Sequence, residues 1–314
     1  QRDRNLASDQ LLDQVKTFFL EKGVRIAGGM TLSDSDGRQF RSFCYTNPED
    51  RKFIQNTVEL AARHFDEIIQ DDFFFVTTKY DSDIAAKGNR TWTQYRLELL
   101  REATENLLIK PAKAINPKVK MVIKYPNWYE HFQGLGFDLE KQARMFDGIY
   151  TGTETRDPEI TDQCLQEYES YLIFRYFENI RPGANGGGWV DTYSIRFLDR
   201  YAEQLWDTVF AKAPEMMLFE WSGLTLRAQS GQRSKWENLD TSFNYGKLLA
   251  SMKTKVKDPN LAANPTYAGV AGYALEQADA FLDQLGRPIG IKSYKPYHSW
   301  GEEFLHNYFG NLGI

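Results

Sequence analysis

The feature that most constrains the fold is a regular alternation of strand-sized and helix-sized segments. Short runs of β-branched and aromatic residues predict strands, and helical spacing of apolar residues predicts a helix between them. Strands that alternate with helices pair in parallel, because the crossover helix returns the chain to the same end of the sheet. The sequence therefore predicts an α/β protein. The predicted strands are residues 24–32, 67–76, 118–125, 147–154, 186–191, 215–221 and 288–294.

Seven such units nearly complete a (β/α)8 barrel of the TIM type. The chain opens on a predicted helix, residues 9–22, so we hypothesise that the first barrel strand lies upstream of Gln1. A doubly wound sheet fits less well, because no strand-to-helix turn carries a glycine-rich phosphate loop. Glycines 186–188 precede a strand instead, and we interpret them as permitting close backbone approach. The other predicted helices are about residues 49–65, 92–109, 160–178, 193–212 and 274–285, and a loop followed by a helix is predicted for residues 128–146.

Composition narrows the domain organisation and the partners. No low-complexity linker divides the chain, so we expect residues 1–314 to form a single barrel domain. The 38 basic and 43 acidic residues are interspersed, which argues against nucleic acid as a partner. No apolar run is long enough to span a membrane. A removed leader would fit a periplasmic or secreted protein; the compartment and the oligomeric state stay open.

The strand predicted at residues 67–76 ends on two adjacent acids, Asp71 and Asp72. Carboxylates at the end of a buried strand are costly unless they are paired or needed for chemistry. They could take part in proton transfer or bind polar groups such as sugar hydroxyls. The structural alternative is that one acid caps the following turn and the other forms a salt bridge with a nearby lysine or arginine.

In a parallel barrel, the carboxyl ends of all strands open on the face that holds the active site. Glycosidic bond cleavage needs a protonated carboxyl group and an ionised carboxylate, and aromatic rings stack on the apolar faces of sugars. The acids at the predicted strand ends, our catalytic candidates, are Asp72, Glu154, Glu220, Asp71 and Asp191. The candidates for substrate binding are Trp128, Trp189 and Trp221 by stacking, and Lys124, Asn127, His131 and Arg156 by polar contacts.

Among the acids, we expect Asp72 to act as nucleophile or base and Glu154 as proton donor, with Glu220 at the end of a buried strand as the next choice for either role. Each choice has a structural alternative. Glu154 could pair with Arg156 within a turn, and Asp191 could cap the following helix. Lys124 could simply pair with an acid, and the tryptophans could serve packing.

Four segments, at residues 71–75, 124–129, 152–158 and 219–221, carry a resemblance to a known family. Over about residues 20–300, the sequence resembles the glycoside-hydrolase-like (β/α)8 barrel proteins of polysaccharide-degrading bacteria. The resemblance implies a (β/α)8 barrel that acts on a glycan, and it transfers no catalytic residue. Retaining barrel hydrolases carry an Asn-Glu pair after the fourth strand and a Glu after the seventh. Here Asn127 precedes Trp128, and Glu220 alone matches. The segments are 71–75 (DDFFF), 124–129 (KYPNWY), 152–158 (GTETRDP) and 219–221 (FEW).

The leading functional hypothesis is a glycoside hydrolase that acts on a poly- or oligosaccharide, with retention or inversion left open. The alternative is a non-catalytic barrel that binds a glycan, or a module of a larger assembly. A metal-dependent hydrolase would use acids of the same set as oxygen ligands. We expect neither a metal nor another cofactor, because the four histidines form no HxH or HExxH pattern.

Overall fold

The computed structural model describes residues 6–33, 41–127, 132–157, 159–161, 168–233 and 243–290. These residues form an α/β fold with a six-stranded parallel sheet, in which the strands follow one another in chain order. The strands are β1 (Gly28–Met30), β2 (Glu67–Gln70), β3 (Lys120–Tyr125), β4 (Gly148–Gly152), β5 (Asn185–Asp191) and β6 (Met216–Phe219).

The first six predicted strands are confirmed; β5 begins one residue before its predicted segment, and the other five are shorter than theirs. Of the predicted seventh strand, residues 288–290 are not in a strand, and residues 291–294 lie outside the described residues. The sequential strand order is compatible with a (β/α)8 barrel. The complete barrel, its strand upstream of Gln1 and the single domain stay predictions.

Helices alternate with the strands, as predicted. A π-helical turn (Thr104–Ile109) joins α4 to α5, and a 3-10 turn (Gln142–Arg144) follows α6. None of the described helices is both long and apolar enough to cross a membrane. The helices are α1 (Asp9–Leu20), α2 (Pro48–His64), α3 (Asp81–Lys87), α4 (Trp92–Ala103), α5 (Lys110–Ile115), α6 (Phe132–Leu135), α7 (Glu169–Ile180), α8 (Leu198–Phe210), α9 (Trp221–Leu224), α10 (Tyr245–Lys255), α11 (Pro259–Ala263) and α12 (Tyr267–Leu282).

The chain divides into two compact units. Counting described residues alone, unit 1 lies within residues 6–150 with 180–184, and unit 2 lies within residues 151–179 with 185–290. We describe each unit by itself.

In unit 1, β1 pairs with β2 and β2 with β3, both in parallel. Strand β3 is buried from Met121 to its end, which explains its near-continuous apolar sequence. Helix α2 packs against β2 and α5, and it buries Ile54 and Val58. Its start is fixed by Asn47, whose side chain accepts a hydrogen bond from the Glu49 amide at 2.8 Å.

In unit 2, β5 pairs with β6 in parallel, and α12 packs against α8. Val190 of β5 lies in one apolar core with Leu205 of α8 and Val270 of α12. Gly188 shows the close approach predicted for the glycine run. A Cβ at this position would lie 2.2 Å from Thr208 Cγ2, so any larger residue would push α8 away from β5.

Candidate active site

Unit 1 holds a buried ionic cluster where β2 and β3 end. Lys124 Nζ lies 2.9 Å from Asp72 Oδ2 and 3.6 Å from Asp71 Oδ1, and the lysine side chain is 4% exposed. The parallel register aligns Gln70 with Ile123, which places the next residues of both strands side by side. The predicted pairing of Lys124 with an acid is confirmed. A charged group buried this deeply is stable only with such partners.

Asp71 is further held by β1. Its Oδ2 accepts a hydrogen bond from the Thr31 hydroxyl at 3.0 Å, and its Oδ1 accepts one from the Asp72 amide at 2.8 Å. Its own amide donates to the Met30 carbonyl at 2.9 Å. The sequence reasoning missed Thr31, because it lies inside the segment predicted as a strand (residues 24–32), whereas β1 ends at Met30. Asp71 is therefore firmly oriented beside Asp72.

Asn127 is also buried in unit 1, shortly after the end of β3. A buried side-chain amide can present donor and acceptor groups in a fixed direction, which suits the predicted role in binding hydroxyls. Trp128 and His131, the other binding candidates of this loop, lie outside the described residues.

Unit 2 brings Arg156 and Asp191 together at the ends of β4 and β5. The guanidinium binds the carboxylate through two contacts, Nη1 to Oδ1 at 2.8 Å and Nη2 to Oδ2 at 3.0 Å. Asp191 Oδ1 also accepts a hydrogen bond from the Tyr193 amide at 2.9 Å. The alternative that Asp191 caps the next helix is wrong, because α8 begins only at Leu198. Asp191 instead closes a short turn and anchors Arg156.

Glu154 acts electrostatically on Asp191. Burial raises the pKa of the Asp191 carboxyl, the Arg156 guanidinium opposes this rise, and the charge of Glu154 adds to it. Glu154 is itself buried. The nearby negative charge of Glu154 therefore disfavours the ionised form of Asp191.

Strand β6 differs from the prediction. Glu220 was expected at the end of a buried strand, but β6 is only half-buried among the described residues and Glu220 is exposed. Its Oε1 accepts a hydrogen bond from the Ser222 hydroxyl. The burial of a strand depends on what covers its outer edge, and the sequence of the strand alone does not supply this information.

Aromatic residues accompany Glu220. Trp221 is 81% exposed and Phe219 is 42% exposed. Phe219 stacks at a tilt on half-buried Trp189, with 5.5 Å between the ring centroids. We call Trp189, Phe219 and Trp221 the aromatic ledge. Phe219 was missed by the sequence reasoning, although it belongs to the same Phe-Glu-Trp segment.

Within the described ranges, no group of three or more His, Cys, Asp or Glu residues is placed to hold a metal ion.

The described residues thus define an α/β protein whose parallel strands end on buried, paired carboxyl groups and on exposed aromatic rings. Comparison with known proteins shows the family. Residues 1–284 match the family described as "Probable glycosyl hydrolase, catalytic domain", and the chain belongs to that family. The predicted resemblance is confirmed in this respect.

A relative in Saccharolobus solfataricus, described as an uncharacterized protein, is 29% identical over 253 residues. The aligned region covers 70% of this chain and 42% of the relative. The chain thus spans less than half the length of this curated relative.

Proposed function

We propose that the chain is a glycoside hydrolase domain that cleaves an O-glycosyl bond of a poly- or oligosaccharide by carboxyl general acid and base catalysis. The observation that carries the proposal is the placement of Glu154 beside Asp191. Both are buried, and the charge of Glu154 contributes to the raised pKa of Asp191. A buried carboxyl pair in which one member favours its protonated form is what protonation of a glycosidic oxygen requires.

The roles follow from the charges around each acid. Glu154 is the proposed proton donor of this pair, and Arg156 holds the side chain of Asp191 in place beside it. Asp72 is the proposed nucleophile or base, since the Lys124 ammonium at 2.9 Å stabilises its ionised form. Asp71 would orient Asp72 and Lys124 through their shared contacts. Glu220 stays a candidate for either role.

Sugar rings are proposed to stack on the aromatic ledge. An exposed indole such as Trp221 offers a flat apolar face, and pyranose C–H groups bind such faces while their hydroxyls stay in water. Trp128 is a further candidate for stacking. The proposed hydroxyl-binding residues are Lys124, Asn127, His131 and Arg156.

The test is a screen of the purified chain against aryl glycosides and polysaccharides, followed by kinetics of Glu154→Gln and Asp72→Asn. We expect each variant to lose at least about 100-fold in kcat while it still binds the substrate. Asp279→Asn, which neutralises an exposed acid of α12, is the matched control and should keep full activity. Turnover that survives both site substitutions would refute the assignment of roles.

Three observations favour a second candidate, a non-catalytic glycan-binding module. The predicted acids are engaged by Lys124 and Arg156, and Trp221 is free to bind a sugar without any catalysis. The chain also spans less than half of its relative. For a binding module, calorimetry should show glycan binding by a wild-type chain that turns over none of the substrates, and Trp221→Ala should abolish that binding.

A further inference from the structure

Helix α8 places a buried amide between the two segments that carry Glu154 and Asp191. Gln204 is 1% exposed, its Oε1 accepts a hydrogen bond from the Thr155 amide at 3.2 Å, and its Nε2 donates to the Asp191 carbonyl at 3.0 Å. We propose that Gln204 is a positioning residue that fixes the separation between Glu154 and Asp191. This inference rests on the proposed function, because it assumes that the two carboxyl groups act together.

The chemistry of the amide explains why glutamine suits this position. One side-chain oxygen meets a backbone donor, and one side-chain nitrogen meets a backbone acceptor. The reversed orientation would place two donors together and two acceptors together, so the hydrogen bonds admit one orientation of Gln204 only. An apolar residue of the same length would leave both buried backbone groups without these partners.

The backbone on the other side of Glu154 is fixed as well. The Thr153 amide donates to the Trp189 carbonyl at 2.9 Å, and the Thr153 carbonyl accepts from the buried Ser170 hydroxyl at 2.6 Å. Glu154 therefore lies between two anchored residues. Ser170 holds the first to α7, and Gln204 holds the second to α8 and, through the same amide, to Asp191.

Arg156 also links the two segments, but it does so through the side chain of Asp191 and not through its main chain. It binds the carboxylate of Asp191 and the carbonyl of Thr155, at 2.9 Å. Side-chain ion pairs can swing together, whereas Gln204 joins one main chain to the other from the helix behind the sheet. Beyond the Thr153–Trp189 hydrogen bond, the distance between the two main chains is therefore set by Gln204, and Arg156 acts on the direction of the Asp191 side chain.

The pKa of Asp191 offers a readout of this distance. Burial raises it most, and the charge of Glu154 raises it further, while Arg156 and the Tyr193 amide oppose the rise. Asp191 in turn contributes to the raised pKa of Tyr201, which is buried in the core. If the segments separate and water enters, both causes of the rise weaken, so the pKa of Asp191 should fall toward its ordinary value.

The experiment uses the whole chain with Gln204→Met, which keeps the side-chain length and removes both hydrogen bonds. We expect the Thr155 amide to exchange with solvent at least about tenfold faster and the carboxyl titration of Asp191, followed by 13C NMR, to move to lower pH. With a substrate from the screen, kcat should fall about tenfold or more with little change in KM. Gln204→Asn is too short to reach both partners. It should change the Thr155 exchange rate, the Asp191 titration and kcat in the same direction, but by less.

Leu205→Ala is the matched control, because Leu205 neighbours Gln204 on α8 and is fully buried in the apolar core. It should lower stability and leave the Thr155 exchange and the Asp191 titration at their wild-type values. The inference is overturned if both readouts are unchanged in Gln204→Met and Gln204→Asn, or if Leu205→Ala changes them equally. Because the two NMR readouts need no substrate, a chain without glycosidase activity would refute the proposed function and leave this test intact.

Discussion

The contact of β5 with α8 makes Gly188→Ala the sharpest test of the packing around the candidate site. The added Cβ would lie 2.2 Å from Thr208 Cγ2 and 2.9 Å from Thr153 Oγ1. The first distance is more than about 1 Å shorter than a favourable carbon contact. Thr208 is fully buried, so the methyl group has no free space to enter and the helix must shift. Overpacking of this kind costs about 1–3 kcal/mol, and we expect the upper end of that range.

The assay is urea unfolding followed by far-UV circular dichroism. Gly29→Ala is the control, since a Cβ on this glycine of β1 would meet nothing within 4 Å, and its stability should stay within about 0.5 kcal/mol of the wild type. Thr208→Ser removes the clashing methyl group and keeps the hydroxyl that lies 2.9 Å from Thr153 Oγ1. The double variant Gly188→Ala with Thr208→Ser should therefore show a favourable coupling of about 1 kcal/mol or more. A Gly188→Ala protein as stable as Gly29→Ala, or a cycle without coupling, would refute the reasoning.

Three further outcomes follow from the ion pairs and the aromatic ledge. Lys124→Met leaves the buried Asp72 and Asp71 carboxylates without their ammonium and should cost about 3–5 kcal/mol in unfolding free energy, part of which the double variant with Asp72→Leu should recover. The hydrogen bond from Arg196 lowers the pKa of Asp157. The ionised Asp157 therefore stabilises the folded chain above the ordinary pKa of 3.8, and this stabilisation is lost as the pH falls through the lowered pKa. The stability advantage of the wild type over Asp157→Asn should thus shrink below about pH 4, and a constant difference would contradict the pairing. Trp221 is 81% exposed, so Trp221→Phe should reduce the quenching of tryptophan fluorescence by iodide, and unchanged quenching would show that the indole is covered.

The strands were predictable because parallel strands buried on both faces read as continuous apolar runs, and β3 is such a run. Helices with weak periodicity were harder to predict. The seven residues of α3 were not predicted, and α12 begins at Tyr267, well before the predicted start at residue 274. Gly269 and Gly272 weaken the helical signal there, although Gly269 is small because Met252 packs against it. Such a reason lies in tertiary packing and cannot be read from local sequence.

The candidate site likewise has some features that the local sequence reveals and others that depend on tertiary packing. The acids were found because strand ends are visible in sequence, and the pairing of Lys124 with an acid was anticipated, but the partners of Asp191 were not. Arg156 and Asp191 are 35 residues apart, and Gln204 lies in the middle of a helix. A partner on another strand depends on register, and a partner on a helix behind the sheet depends on how that helix is rotated. The polar pair Gln204 and Thr208, one helical turn apart among buried apolar residues, was the available signal for a second layer of contacts.

The anchors on both sides of Glu154 have an evolutionary consequence. They are made by the main chain of Thr153 and Thr155 and by the side chains of Ser170 and Gln204, so these hydrogen bonds do not use the side chain at position 154. A substitution at that one position can change or remove a chemical group while the surrounding main chain keeps its course. A lineage that carries this arrangement could therefore pass between hydrolysis and simple recognition of a ligand by very few mutations.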